Sequence, residues 1–99
     1  MLFPAPDLIA EIISPSTEKN DRGIKFTDYA LHGVQEYWLI DPQQQFIEQY
    51  LLQNNQYKLE FKSTSNQLVS KVLTGFAIEV EAIFNVEKSR NALQQFLHP

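Results

Sequence analysis

Two short apolar runs, Leu8-Ile9-Ala10-Glu11-Ile12-Ile13 and Tyr37-Trp38-Leu39-Ile40, constrain this chain more than any other feature. Both are short, rich in β-branched or aromatic residues, and closed by turn formers: Ser14-Pro15-Ser16 after the first, Asp41-Pro42 after the second. A continuous rather than alternating apolar run is the pattern of a strand buried on both faces. Between the runs, Asn20 or Asp21 reads as the N-cap of a helix that ends near His32, with Gly33 just past its C-terminus. Gly23 in the first turn costs that helix about 1 kcal/mol relative to alanine. A strand, a helix and a second buried strand make a βαβ unit, so the two strands should lie parallel in one sheet.

Beyond Pro42 the pattern changes. Phe46 to Leu52 and Tyr57 to Lys62 flank Gln53-Asn54-Asn55-Gln56 and read as an antiparallel hairpin. In the second arm Tyr57, Leu59 and Phe61 alternate with Lys58, Glu60 and Lys62, as in a strand with one face in water. Phe76 to Val80 reads as a last strand, Ala82-Ile83-Phe84 as the start of a helical turn, and Val86 to Leu97 has helical character. The fold class is therefore α/β with a mixed sheet. With 99 residues, 43% hydrophobic and 20% charged, the chain suits one small globular domain.

The absence of cysteine excludes disulfides and thiolate metal sites and is compatible with a reducing, cytoplasmic setting. The N-terminus has no basic segment followed by an apolar run, and no window has the apolar length to cross a bilayer, so no membrane role is expected. A net charge of −4 and a pI near 5.0 argue against a general electrostatic grip on nucleic acid, which comes from Lys and Arg neutralising phosphates. A metal-dependent nuclease remains compatible, because such a site is itself acidic.

Glu11 is the most informative residue. A carboxylate inside an apolar strand is costly unless it is paired or holds a metal. Its partner could be Lys25 or Arg22, or it could lie near a strand end. Lys25 and Tyr29 share a helix face, with Asp21 one turn before and His32 one turn after. Lys25 on an inner face could meet a phosphate; alternatively it forms a surface pair with Asp21, worth only about 0.3–0.5 kcal/mol. Asp7 is four residues from Glu11, roughly 13 Å along an extended strand, too far to share an ion with it. Asp7 and Asp41 are read as turn residues. The two histidines lack ligand spacing, and there is no Gly-rich phosphate loop, G-x-S-x-G or basic aromatic stripe.

The order of these motifs resembles one family. Pro6-Asp7-Leu8-Ile9-Ala10-Glu11-Ile12-Ile13-Ser14-Pro15-Ser16-Thr17 looks like the signature strand and loop of the Uma-type restriction endonucleases. Asp21-Arg22-Gly23-Ile24-Lys25 with Tyr29 and Gly33-Val34 is similar to their next helix, and Glu36-Tyr37-Trp38-Leu39-Ile40-Asp41-Pro42 to their next strand. The resemblance spans Pro6 to Phe84. It implies a PD-(D/E)XK nuclease-like fold and Mg²⁺-dependent phosphodiester hydrolysis, with carboxylates holding the metal and a lysine orienting water; DNA is a partner the resemblance allows, and the choice between DNA and RNA as substrate stays open. Glu11 maps onto the metal-binding glutamate. The usual lysine position, two residues later, is Ile13, and Lys25 is the candidate for a lysine that has migrated to the helix.

The first metal-binding aspartate of the fold lies on a strand before Pro6. The expectation is therefore a partial domain over residues 1–84, followed by a tail over 85–99, with an incomplete active site that does not cleave by itself. A sheet lacking its first strands would expose an edge, favouring self-association or a partner that covers it. The alternative reading is a non-catalytic remnant or protein-interaction module that keeps the second half of the fold.

Overall fold

The computed structural model describes residues 6–85. Its elements run β1 (Leu8–Ile12), α1 (Glu18–Arg22), α2 (Ile24–Leu31), β2 (Glu36–Asp41), β3 (Phe46–Gln53), β4 (Gln56–Ser63), β5 (Gln67–Val69) and β6 (Ala77–Glu79), and residues 80–85 are helical. β1 to β4 form one sheet in that order, and β5 and β6 a second, antiparallel one. β1 and β2 are parallel, with Glu11 beside Leu39, so the βαβ unit is present. β2–β3 and β3–β4 are antiparallel. The Asn54–Asn55 turn has both residues at positive φ, 52° and 65°, the backbone that a two-residue hairpin with right-twisted strands requires. Asp41 Oδ1 accepts from the backbone N–H groups of Gln43 and Gln44 at 3.0 and 2.9 Å, closing the turn after β2.

The sheet is covered on both faces. Ile13, Ala30, Tyr37, Leu39 and Tyr57 form the core beneath the helices, joined by Phe26, Tyr29 and Tyr50. Trp38, Ile47, Leu68, Val80 and Phe84 form the opposite core beneath β5, β6 and residues 80–85. Complete burial of side chains such as Leu39 or Ile47 stabilises by about 1.5–3 kcal/mol each.

Four expectations are corrected. β1 is not buried on both faces: Leu8 reaches the second core, whereas Ile12 is 68% exposed, and among the described residues β1 has β2 as its one neighbour. The single helix is two. At Gly23 (φ −109°, ψ −92°) the chain turns so sharply that a Cβ would lie 2.8 Å from the Lys19 carbonyl oxygen. Asp21 therefore sits inside α1, and Thr17 is its N-cap; Gly33 does take a left-handed φ of +78° after α2. The alternation in β4 breaks at a bulge opposite Gln49 and Tyr50, which leaves Tyr57 in one core and turns Phe61 into the other. Finally, β5 was not anticipated; it pairs with the expected last strand, β6. The segment Val86 to Leu97 lies outside the described residues.

The second layer is tied on through a buried charge. Glu36 is fully buried and accepts from the indole of Trp38, the amide of Gln49 at 3.0 Å and the hydroxyl of Ser70 at 3.2 Å. The backbone N–H groups of Lys71 (2.8 Å) and Val72 (3.2 Å) complete the cage. Removing the acceptor strands these donors away from water, so Glu36→Ala should lower unfolding free energy by about 3–5 kcal/mol. Glu36→Gln, which turns an amide NH₂ toward donors, should cost less, about 1–3 kcal/mol. Urea unfolding checks both; wild-type stability of Glu36→Ala would show that the cage holds nothing.

Candidate active site

Alternation along β1 points Ile9, Glu11 and Ile13 toward the helices, because their partners Tyr37 and Leu39 belong to that core. The crossover between β1 and β2 brings α1 and α2 over the same face. Glu11 therefore meets two helical side chains. Tyr29 donates its phenolic hydrogen to Glu11 Oε1 at 2.8 Å, and Lys25 Nζ lies 3.5 Å from Oε2. Lys25 Nζ is also 3.1 Å from Asp21 Oδ1.

Asp21 is 1% exposed, unlike the surface pair that its spacing with Lys25 suggested. Its Oδ1 is ion-paired with the Lys25 ammonium at 3.1 Å. The Asp21 carbonyl is pinned by the hydroxyl of Tyr37 at 3.0 Å, and Tyr37 packs edge-on against Tyr29 with centroids 5.3 Å apart. Two carboxylates thus share one ammonium; one tyrosine hydroxyl bonds the Glu11 carboxylate and another the Asp21 backbone carbonyl.

Arg22, the other partner considered for Glu11, goes elsewhere. It pairs with Glu18 at 2.7 Å and with the buried Glu48 at 2.7 Å, and Lys62 reaches Glu48 at 3.5 Å. Glu48 carried the same signal as Glu11, a carboxylate in an apolar run, and is a residue that sequence reasoning passed over. Glu36 was hidden for a different reason: it stands at the start of a strand, where a charge usually meets solvent. Asp7 contributes its backbone carbonyl to β2, accepting from Glu36 N–H at 3.0 Å. His32 Nδ1 contacts the Asp28 carbonyl, away from Glu11.

Electrostatics follow from this geometry. The Asp21 carboxylate, with Glu11 adding to it, holds the Lys25 ammonium above its ordinary range. Burial, then the hydrogen bond to Glu11, raises the Tyr29 phenol, so Tyr29 stays a donor. The donor set is oxygen only, which suits a hard cation such as Mg²⁺. Among the described residues no cluster of three or more His, Cys, Asp or Glu side chains could hold a metal, and no helix is long and apolar enough to cross a membrane.

A mixed sheet with a carboxylate on its first strand and a lysine on the crossover helix places the chain with nuclease-like α/β domains. The chain belongs to the Uma2 family: the family profile, described as "Putative restriction endonuclease", matches residues 2–81. Among solved structures, the chain is similar to a "putative nuclease belonging to DUF820" from Anabaena variabilis ATCC 29413, at 25% identity and a TM-score of 0.64. That match covers 84% of this chain and 46% of the other, so the chain spans less than half the length of that relative. No curated protein matches it.

The shared ammonium predicts a titration. A raised lysine pKa means that its pairing stabilises the fold fully below the ordinary value of 10.5 and fades as pH rises through the raised one. Followed by NMR of the lysine side chains, the Lys25 midpoint should fall in Asp21→Asn and in Glu11→Gln, and farther in the first. An unchanged midpoint in Asp21→Asn would remove Asp21 from the site.

Proposed function

We propose that this chain carries the Glu11–Lys25 centre of a Mg²⁺-dependent endonuclease that hydrolyses phosphodiester bonds in DNA. The observation that carries the reading is the convergence of Glu11, Lys25 and Tyr29 from a strand and the crossover helix. The buried Asp21 carboxylate, paired with the same Lys25 ammonium, adds negative charge beside them. Bound Mg²⁺ supplies an activated water and neutralises charge on the phosphate. Glu11 would hold the ion through Oε2, while Tyr29 keeps that carboxylate in one orientation through Oε1. Lys25, 41% exposed on a flexible stem, orients the attacking water and offsets the negative charge that develops on the phosphate oxygens.

The acidic balance of the chain sets the mode of binding. Among the described residues Arg22 and Lys25 are both paired with acids, and the chain is acidic, so DNA is gripped locally at the scissile phosphate rather than along an extended basic surface. The test is cleavage of plasmid and single-stranded DNA with Mg²⁺ or Mn²⁺, by the 99 residues and by the longest natural reading frame that contains them. Cleavage lost in Glu11→Gln and reduced by about 100-fold or more in Lys25→Met is expected. Cleavage that survives Glu11→Gln, or none from either form, overturns the reading; the second outcome favours a non-catalytic interaction module.

The edge of β1 supports a related proposal about partners. Among the described residues β1 has a single neighbour, and Ile12 projects from it largely exposed. No proline or lysine within β1 guards that edge. A second copy pairs there, and sedimentation should show a dimer that Ile12→Lys weakens. A wild-type monomer at high concentration would sink this part of the proposal.

A further inference from the structure

We propose that Arg22 and Glu48 are positioning residues for the Glu11–Lys25 centre: their ion pair seats α1 on the sheet and thereby keeps Asp21 against Lys25. The effect on cleavage rests on the nuclease reading, whereas the seating of α1 does not.

The case begins with the composition of α1. Its residues, Glu18-Lys19-Asn20-Asp21-Arg22, include no apolar side chain, and none of them joins either core. α2 differs, being held down by Phe26, Tyr29 and Ala30. Five residues are too few for a helix to persist by itself, and no side-chain hydrogen bond caps the N-terminus of α1. The bend at Gly23 interrupts the helical axis, so the apolar docking of α2 does not fix the direction of α1.

What holds α1 is polar. The Tyr37 hydroxyl donates to the Asp21 carbonyl at 3.0 Å, a neutral bond to one backbone atom. Lys25 meets Asp21 at 3.1 Å, from a flexible stem that is 41% exposed. Arg22 reaches Glu48 at 2.7 Å, and this contact is the firmest of the three. It is short and charge-assisted, and it ends on β3, a strand paired along both edges. The Glu48 side chain is 6% exposed, so parting it from the guanidinium is costly. Arg22 Nε meanwhile donates to Glu18 at 2.7 Å, one turn earlier, so the same fork tightens α1 and fastens it.

Strand register links this anchor to the site. Glu11, Leu39, Glu48 and Lys62 follow one another across β1 to β4, so Glu11 and Glu48 stand two strand spacings apart, about 10 Å. α1 spans that distance with two consecutive residues. Arg22 goes to Glu48, and Asp21 to the ammonium that Glu11 also holds. Releasing the Arg22 end frees Asp21 to move, and Lys25 then keeps only one of the two acids that place it.

Amide hydrogen exchange and the NMR resonance of the Lys25 ammonium, both read at one fixed pH, test the clamp in Arg22→Met. The Asp21 amide, bonded to the Thr17 carbonyl, should exchange faster by about 10-fold or more, while Ala30 inside α2 keeps its rate. The Lys25 resonance should move toward its position in Asp21→Asn. Equal acceleration at both amides would mark a loss of stability shared by the whole domain and overturn the proposal. A Lys25 resonance that stays in its wild-type place would overturn it too. Circular dichroism checks that Arg22→Met is folded. If it is not, Arg22→Lys decides, since it keeps the charge and loses the fork; wild-type exchange and resonance there overturn the proposal. In cleavage, Arg22→Met should lower kcat by about 10- to 100-fold with KM little changed. It should cost nothing further in a Lys25→Met background, and an additive loss there counts against the clamp. Lys25-dependent cleavage with an unmoved resonance in Arg22→Met would remove the clamp and leave the nuclease reading. A shifted resonance with no cleavage in any form would do the reverse.

Discussion

A buried negative charge at the start of β2 holds the two layers of this protein together. Glu36 gathers donors from its own strand, from β3 and from the loop after β5, so the main sheet and the smaller one are joined by hydrogen bonds to one carboxylate as well as by apolar contact. Apolar packing alone is tolerant of sliding; a carboxylate surrounded by directed donors is not. β2 is consequently the strand to which everything else is referred. It is buried on both faces, paired on both edges, and locked in register at its first residue.

The helical face of the same sheet shows how a small domain keeps acids from competing for cations. Arg22 and Lys25 are three apart, and on a straight helix they would point in similar directions. The break at Gly23 separates their targets, sending Arg22 to Glu18 and Glu48 and Lys25 to Glu11 and Asp21. The first set ties α1 to the middle of the sheet, with Lys62 joining from β4. The second is half-open to water and lies at β1. Each set has one buried acid, Glu48 in the first and Asp21 in the second.

How much of this was legible depended on the range of the signal. The parallel pair followed from two apolar runs and the helix between them, and the hairpin followed from Asn54-Asn55 between alternating residues. Glu11 and Lys25 could be named because a charge in an apolar run and a lysine on an inward helix face are local patterns. The exposure of Ile12 was not legible: apolar residues look alike whether a neighbouring layer covers them or not. Asp21 was read as a cap because aspartate near a helix start usually is one; its burial comes from the bend two residues later. β5 escaped notice because Gln67, Leu68 and Val69 are too few to show periodicity without their partner β6.

The bulge in β4 has a consequence for how this strand can change over time. Its first half is in phase with the helical core and its second half with the opposite one, and Glu60 is the residue by which the phase shifts. Loss of that single position would straighten the strand without turning it: Leu59 and Phe61 would become neighbours, still opposite Tyr50 and Gln49, with Phe61 in the second core and Lys62 beside Glu48. Loss of Phe61 instead would bring Glu60 opposite Gln49 and place a carboxylate against the second core. Relatives of this chain can therefore lack residue 60 with both faces of the strand unchanged, whereas a deletion one position later exchanges an apolar contact for a charge.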